Sequence, residues 1–152
     1  KIIKKNIEGL ERAYVIEKIL QNIKKKTRIV STTGYASREL YQIRKSKNLL
    51  RGKDFYMVGG MGHASMVALG AALNTKEETL CIDGDGAVLM HLGSLNISAH
   101  FGKKNFKHIL FNNSAHESVG GQKTLANKID FRKLTLSLGY KNFSISEVST
   151  SF

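Results

Sequence analysis

The chain has 152 residues, with 24 Lys and Arg against 12 Asp and Glu for a net charge of +12, a hydrophobic fraction of 41%, one cysteine and no proline. That length suits one domain with its own core, and the longest apolar stretch, Met66 to Leu73, is interrupted by Gly70 and too short to span a bilayer, so no membrane segment is expected. The lone Cys81 can form no internal disulfide and points to a cytoplasmic setting, while the basic clusters Lys24-Lys25-Lys26, Arg44 to Lys53 and Lys103-Lys104 carry no interleaved aromatics and read as solvated faces rather than a nucleic-acid surface.

Residues 1–8 lack both an initiator Met and the apolar core of a secretory signal and read as a linker, leaving 9–152 as the domain. From Arg12 to Lys24 the apolar residues Ala13, Val15, Ile16, Ile19, Leu20 and Ile23 recur at helical spacing. A strand is expected at Arg28 to Ser31, a helix at Ser37 to Arg44 and a strand at Phe55 to Val58. Gly62 opens a helix from Ala64 to Leu73, and Thr79-Leu80-Cys81-Ile82 is a short buried strand. A crossover helix is predicted over Ala87 to Phe101, stopped by Gly102, then a strand from Phe106 to Phe111. Phe131 to Leu138 forms a last helix closed by Gly139, and Phe143-Ser144-Ile145 begins a further strand. This alternation predicts an α/β fold, a doubly wound and mostly parallel sheet with helices on both faces. A doubly wound domain wants a closing helix and strand beyond Phe152, so a truncated C-terminus is expected.

The most informative pattern is Gly84-Asp85-Gly86 followed, after twenty-five residues, by Asn112-Asn113. About fifteen helical residues at about 1.5 Å each carry the chain roughly 22 Å down one face, and six strand residues at about 3.3 Å bring it back. Asp85 and the asparagine pair therefore meet at one carboxyl edge of the sheet, where open α/β folds bind ligands. A carboxylate, an amide oxygen and a backbone carbonyl suit magnesium, which is usually held by few protein groups plus phosphate oxygens. Gly84 and Gly86 allow an anion close to the backbone, and the helix opening at Ala87 offers free N–H groups to it. Neither G-x-G-x-x-G nor G-x-x-x-x-G-K-[ST] is present.

Gly-Asp-Gly, about twenty-five residues and Asn-Asn together resemble the signature of thiamine diphosphate enzymes, and the chain looks like their diphosphate-binding domain. The wording of Ile29 to Gly34, Ser37 to Leu40, Val58 to Ser65, Asp83 to Ser94 and Asn112 to Gln122 is most similar to phosphonopyruvate decarboxylases, with sulfopyruvate decarboxylases next. The resemblance implies thiamine diphosphate and Mg2+ as cofactors, with Asp85, Asn113 and the carbonyl of Ala115 as metal ligands. It implies contacts to the cofactor from Thr33, Gly34, Ser37, Gly59, Gly84, Gly86, Ala87 and Asn112, and an apolar wedge at Met61 beneath it. Decarboxylation of a small-molecule 2-oxo acid bearing a second anionic group is expected, 3-phosphonopyruvate foremost. The same resemblance implies an oligomer whose site is completed by a pyrimidine-binding domain or subunit, since no stretch of the chain looks like that domain.

Several of these residues also have plain readings. Met61 alone reads as core filler, Ser37 as an ordinary N-cap, and Thr33-Gly34 as a turn. His116 and Glu117 follow the magnesium loop and are the catalytic candidates, for touching substrate or moving a proton; lining the loop is the other reading. His63, in the Gly-rich turn before a helix, is similarly placed, though a single His near a helix start is more often structural; His91 reads as structural, and His100 and His108 fall on a solvated helix end and a strand with no function assigned. Where the resembling families carry proline after Gly-Gly-Gln, this chain has Lys123. A non-catalytic cofactor-binding module is the competing reading from another class.

Overall fold

The computed structural model describes residues 11–49 and 53–146; the linker expected at 1–8 lies outside them. Four strands, β1 (Arg28–Ser31), β2 (Asp54–Tyr56), β3 (Thr79–Gly84) and β4 (Phe106–Phe111), form one parallel sheet in the order β2-β1-β3-β4. The chain moves outward to β2 from β1 and outward to β4 from β3. The topological switch therefore falls between β1 and β3, and a crevice opens there above the carboxyl ends of both strands.

Side-chain alternation divides the core between the two faces. Ile29, Leu80, Ile82, Ile109 and Phe111 point to one face and pack with Ile16 and Leu20 of α1 (Arg12–Asn22) and Leu40 of α2 (Tyr35–Ser46). On the other face Val30, Cys81 and Phe106 meet Ala64 and Ala68 of α3 (Ala64–Leu73), whose small residues let the helix approach the sheet. Buried on both faces, β3 shows the continuous apolar run expected of a central parallel strand.

The crossover after β3 departs from the expected single helix. It is two helices, α4 (Asp85–Met90) and α5 (Ser94–Phe101), separated at His91–Gly93. Gly93 is a poor helix former, and the ring of His91 is turned against Gly62, where an added Cβ would lie 2.5 Å from Nδ1. His91 also makes an edge contact with His63, their centroids 4.3 Å apart. Val88 and Leu95 are instead buried against Ala126 and Phe131, together with Leu134 and Leu138 of the last helical segment. That helix, α6 (Phe131–Ser137), is capped by Asp130, whose carboxylate accepts the Lys133 N–H at 3.0 Å.

Three other expectations are corrected. The helix expected from Ser37 begins at Tyr35 with Gly34 as N-cap, so Ser37 is not a cap; its buried hydroxyl donates to the Thr32 carbonyl at 2.6 Å. Arg44, placed with a solvated basic cluster, is buried and grips Asp54 of β2 with two bonds of 2.8 and 2.9 Å, because α2 lays that position over the sheet edge. No strand forms at Phe143–Ile145 among the described residues; Phe143 packs against the cluster around α5 and α6 instead.

A candidate diphosphate and magnesium cleft

Gly84 pairs with Phe111 in the β3–β4 ladder, so Asp85 and Asn112-Asn113 leave the sheet at the same level. Together with the segment after β1 they border a cleft of about 280 Å³. Of the residues singled out from sequence, Thr33, Gly34, Met61, Gly84, Asp85, Gly86, Ala87, Asn112, Asn113, Ala115, His116 and Glu117 all line it. Gly59 and Ser37 do not: Gly59 is exposed with φ +74°, and Ser37 is turned inward to backbone carbonyls.

Asp85 is 2% exposed and accepts a short hydrogen bond from the hydroxyl of Thr124. Among the described residues no Lys, Arg or His forms an ion pair with it. A buried carboxylate without a cation is costly, and a divalent ion is the partner its surroundings accommodate. Asn113 and Ala115 line the same cleft, and a carboxylate, an amide oxygen and a backbone carbonyl are hard oxygen donors that fit magnesium rather than a softer metal.

The loop after β4 folds back on itself. Ser114 takes a left-handed φ of +56°, while Ala115–His116 pairs antiparallel with Gln122–Lys123 to form β5 and β6. The Thr124 N–H donates to the Ser114 carbonyl at 2.9 Å, which brings Thr124 over Asp85. Lys123, standing where proline occurs in resembling chains, sits opposite Ala115 in this ribbon.

Asn113 is oriented from both ends. Its Oδ1 accepts from the Ala115 N–H at 3.1 Å, and its Nδ2 donates to Glu117 Oε2 at 3.2 Å. The same Glu117 oxygen receives Nη1 of Arg12 at 2.9 Å, and Arg12 also holds Glu39 with two bonds of 2.8 Å. Burial works against the charge on Arg12, but its contacts to Glu39 and Glu117 outweigh it and raise the guanidinium above its ordinary value. Arg12 and Arg38 stand 5.7 and 5.5 Å from the ring of Tyr35 on one wall of the cleft, where Arg12 is paired with Glu39 and Glu117. The first-turn N–H groups of α2, at Tyr35 and Ala36, have no intrahelical acceptor and belong to the same wall.

Arg12, Tyr35, Arg38 and Thr124 were invisible as site residues in the sequence. Arg12 sits in an ordinary amphipathic helix, and Thr124 has no motif around it; each reaches the cleft only through a long-range fold-back. A wider concavity of about 700 Å³ at the opposite sheet edge is lined by Lys76, Lys103, Lys104 and Asn105, but it contains no carboxylate, histidine or cysteine.

A family model described as the thiamine pyrophosphate enzyme C-terminal TPP binding domain matches residues 30–151. The phosphonopyruvate decarboxylase of Streptomyces viridochromogenes is 40% identical over 130 residues, which is 86% of this chain and 32% of that protein. The sulfopyruvate decarboxylase subunit beta of Methanocaldococcus jannaschii is 42% identical over 118 residues, 78% of this chain and 60% of that subunit. Its counterpart from Methanothermobacter thermautotrophicus is 37% identical over 131 residues, covering 86% and 68%. The chain thus spans about a third of the first of these relatives and under two thirds of the second. In fold, the X-ray structure of a protein assigned as a thiamin diphosphate-dependent enzyme from Mycobacterium smegmatis superposes with a TM-score of 0.71 over 91% of this chain and 27% of that one, at 15% identity. Among the described residues no helix is long and apolar enough to cross a membrane.

Proposed function

The chain belongs to the thiamine pyrophosphate enzyme C-terminal TPP binding domain family, and from that premise we propose that it supplies the diphosphate- and magnesium-binding half of a 2-oxo acid decarboxylase. The buried Asp85, without a cation and facing the same cleft as Asn113 and Ala115, is the observation that carries this reading. Asp85 Oδ, the Asn113 amide oxygen and the Ala115 carbonyl hold Mg2+. Glu117 and the Ala115 N–H keep the Asn113 amide turned so that its oxygen and nitrogen do not exchange places.

The N–H groups at Tyr35 and Ala36 and the glycine backbone at 84 and 86 receive diphosphate oxygens. Met61 supports the cofactor from below, and Arg38, in no ion pair among the described residues, attracts the anionic cofactor and a substrate with a second negative group. When bound, thiamine diphosphate supplies the electron sink through which a 2-oxo acid loses carbon dioxide. His116 borders the cleft beside this position and moves a proton to or from the substrate, while Glu117, already engaged by Arg12 and Asn113, positions the metal loop.

The substrate read first is 3-phosphonopyruvate, giving phosphonoacetaldehyde. Sulfopyruvate is the second reading, supported by the 42% identity to a sulfopyruvate decarboxylase subunit beta. A pyrimidine-binding domain or subunit closes the cleft, consistent with the exposed apolar Val119 on its rim. The working protein is an oligomer acting in the cytoplasm.

Heat denaturation of the full chain tests the core of this reading. Thiamine diphosphate with Mg2+ raises the unfolding midpoint, by about 2.7 kcal/mol of stabilisation at one hundred times Kd, and Asp85→Ala abolishes the rise. Equal protection of wild type and Asp85→Ala, or protection by oligonucleotide alone, refutes it. Carbon dioxide release from 3-phosphonopyruvate and sulfopyruvate, measured with a pyrimidine-binding partner added, then ranks the substrates; full turnover by this chain alone refutes the divided site.

A further inference from the structure

Below the Gly84-Asp85-Gly86 turn, on the face of the sheet toward α3 and α5, lies a polar cluster of which only Asp83 also borders the cleft. Cys81 and Asp83 alternate onto this face of β3, and His108 of β4 stands opposite Cys81 in the ladder. The Cys81 Sγ, an Asp83 oxygen and a His108 ring nitrogen all lie within 4.8 Å of one another. Cys81 and Asp83 are 0% and 1% exposed, and the His108 side chain is 7% exposed.

Of these groups the His108 ring is the one left without a hydrogen bond. His108 Nε2 is buried without a hydrogen-bond partner, and it stands 3.4 Å from Asp83 Oδ2. Among the described residues the Asp83 carboxylate accepts a hydrogen bond only from the N–H of its neighbour Gly84, at 3.1 Å. Ser98 Oγ and Tyr140 OH lie close to each other beside the cluster, and neither makes a hydrogen bond of good geometry. Burial, with Cys81 and Asp83 adding to it, pushes the Tyr140 phenol up to about 12. Buried polar groups are nearly always paired, so several orphaned atoms converging on one point mark a missing partner.

The donor set names the partner's chemistry. A thiolate, an imidazole and a carboxylate suit Zn2+ and its close relatives, whereas Mg2+ and Ca2+ take oxygen ligands alone. We propose that Cys81, Asp83 and His108 ligate one divalent transition-metal ion of the Zn2+ class between β3 and β4, with the side bordered by Ser98 and Tyr140 left for a fourth donor. Bonds of about 2.0–2.3 Å place tetrahedral donors roughly 3.3–3.8 Å apart; His108 and Asp83 already stand 3.4 Å apart, and Cys81 lies within 4.8 Å of both. Burial and the neighbouring Asp83 raise the Cys81 thiol well above its ordinary value, so it is neutral in the metal-free protein; on binding, the S–H proton passes to solvent as the S–metal bond forms. The site is closed and structural, pinning β3 to β4 immediately before the turn that presents Asp85. Its donor set differs from the oxygen set of the cleft, although Asp83 borders both, and the proposal does not depend on the cofactor reading.

Cobalt is the probe, because Cys81 is the chain's only cysteine and a thiolate-to-cobalt charge-transfer band can arise nowhere else in it. The full chain, freed of metal by chelation, is titrated with Co2+. The expected result is one Co2+ per chain with that near-ultraviolet band and strong tetrahedral visible bands, both lost on adding Zn2+. Asp85→Ala keeps the bands, and His108→Leu weakens Co2+ binding at least tenfold. A folded wild-type chain that shows no charge-transfer band at saturating Co2+ overturns the proposal, whether or not the variants fold. So does His108→Leu that folds and binds Co2+ as tightly as wild type.

Discussion

The imidazole of His116 occupies the space a side chain at Gly86 would fill: a Cβ there would lie 2.4 Å from Cε1 and 2.6 Å from Nδ1 of the ring. The second glycine of Gly-Asp-Gly is thus required by a histidine thirty residues away, and through it the turn holding Asp85 and the loop after β4 fix each other's position. Gly86→Ala is expected to push His116 outward and to weaken stabilisation by thiamine diphosphate and Mg2+. Adding His116→Ala to the same chain removes the clash and recovers thermal stability. Calorimetry on the two variants checks this, and a single variant that binds like wild type contradicts it.

Thr124 donates to the buried Asp85. Thr124→Val removes the hydroxyl with little change in volume and leaves the carboxylate without its protein donor, at a cost of about 1–3 kcal/mol without ligand. Thr124→Ser restores the donor and most of the stability. Urea unfolding in the absence of metal measures both.

Arg12 and Asn113 share one oxygen of Glu117. Glu117→Ala frees the amide of Asn113 to rotate and is expected to lower Mg2+ affinity about tenfold while leaving the helices intact. Arg12→Met has a smaller effect on Mg2+, because Glu117 still receives the Asn113 N–H. Isothermal titration with Mg2+ and thiamine diphosphate distinguishes the two; equal affinities across wild type and both variants exclude a positioning role for this chain of contacts.

Arg44 and Asp54 are joined bidentately with side chains only 5% and 8% exposed. Arg44→Met alone strands a buried carboxylate and is expected to cost about 3–5 kcal/mol, whereas Arg44→Met with Asp54→Leu returns to near wild-type stability. Denaturant midpoints of the single and double variants form the test.

Glu78 is held below its ordinary value of 4.5, chiefly by the Lys107 ammonium at 2.5 Å, although burial opposes the shift. A carboxylate depressed on folding contributes stability that is complete above its unfolded value and is lost as pH falls through the folded one. Acid unfolding of wild type is therefore expected to steepen below about pH 4.5 relative to Glu78→Gln. Superimposable acid titrations of the two proteins rule out this contribution.

Local pattern and spacing were enough to read most of the fold. The continuous apolar run of β3 and the helical period of α1 can be read directly in the order of residues, and the lengths of the crossover and its strand forced Asp85 and Asn112-Asn113 to one edge. The same reading failed where a local preference was overruled by a distant neighbour. The crossover broke at His91–Gly93, where His91 turns against Gly62, and Ser37 turned inward because Thr32 offered its hydroxyl an acceptor. Arg44 lost its solvent to Asp54.

By itself the sequence determined that Asp85 and the asparagine pair would leave the sheet at one carboxyl edge, since those positions follow from chain lengths and turn chemistry. Only the tertiary structure decided what holds them there: Thr124 on Asp85, Glu117 and Arg12 on Asn113, His116 on Gly86, and the unpaired Cys81, Asp83 and His108 beneath. Apart from Glu117 on Asn113 and the neighbours Cys81 and Asp83, these contacts join residues far apart in sequence. The distant ones exist because packing the two faces of the sheet brings strand ends and loops within hydrogen-bond reach, a constraint that no window of neighbouring residues contains.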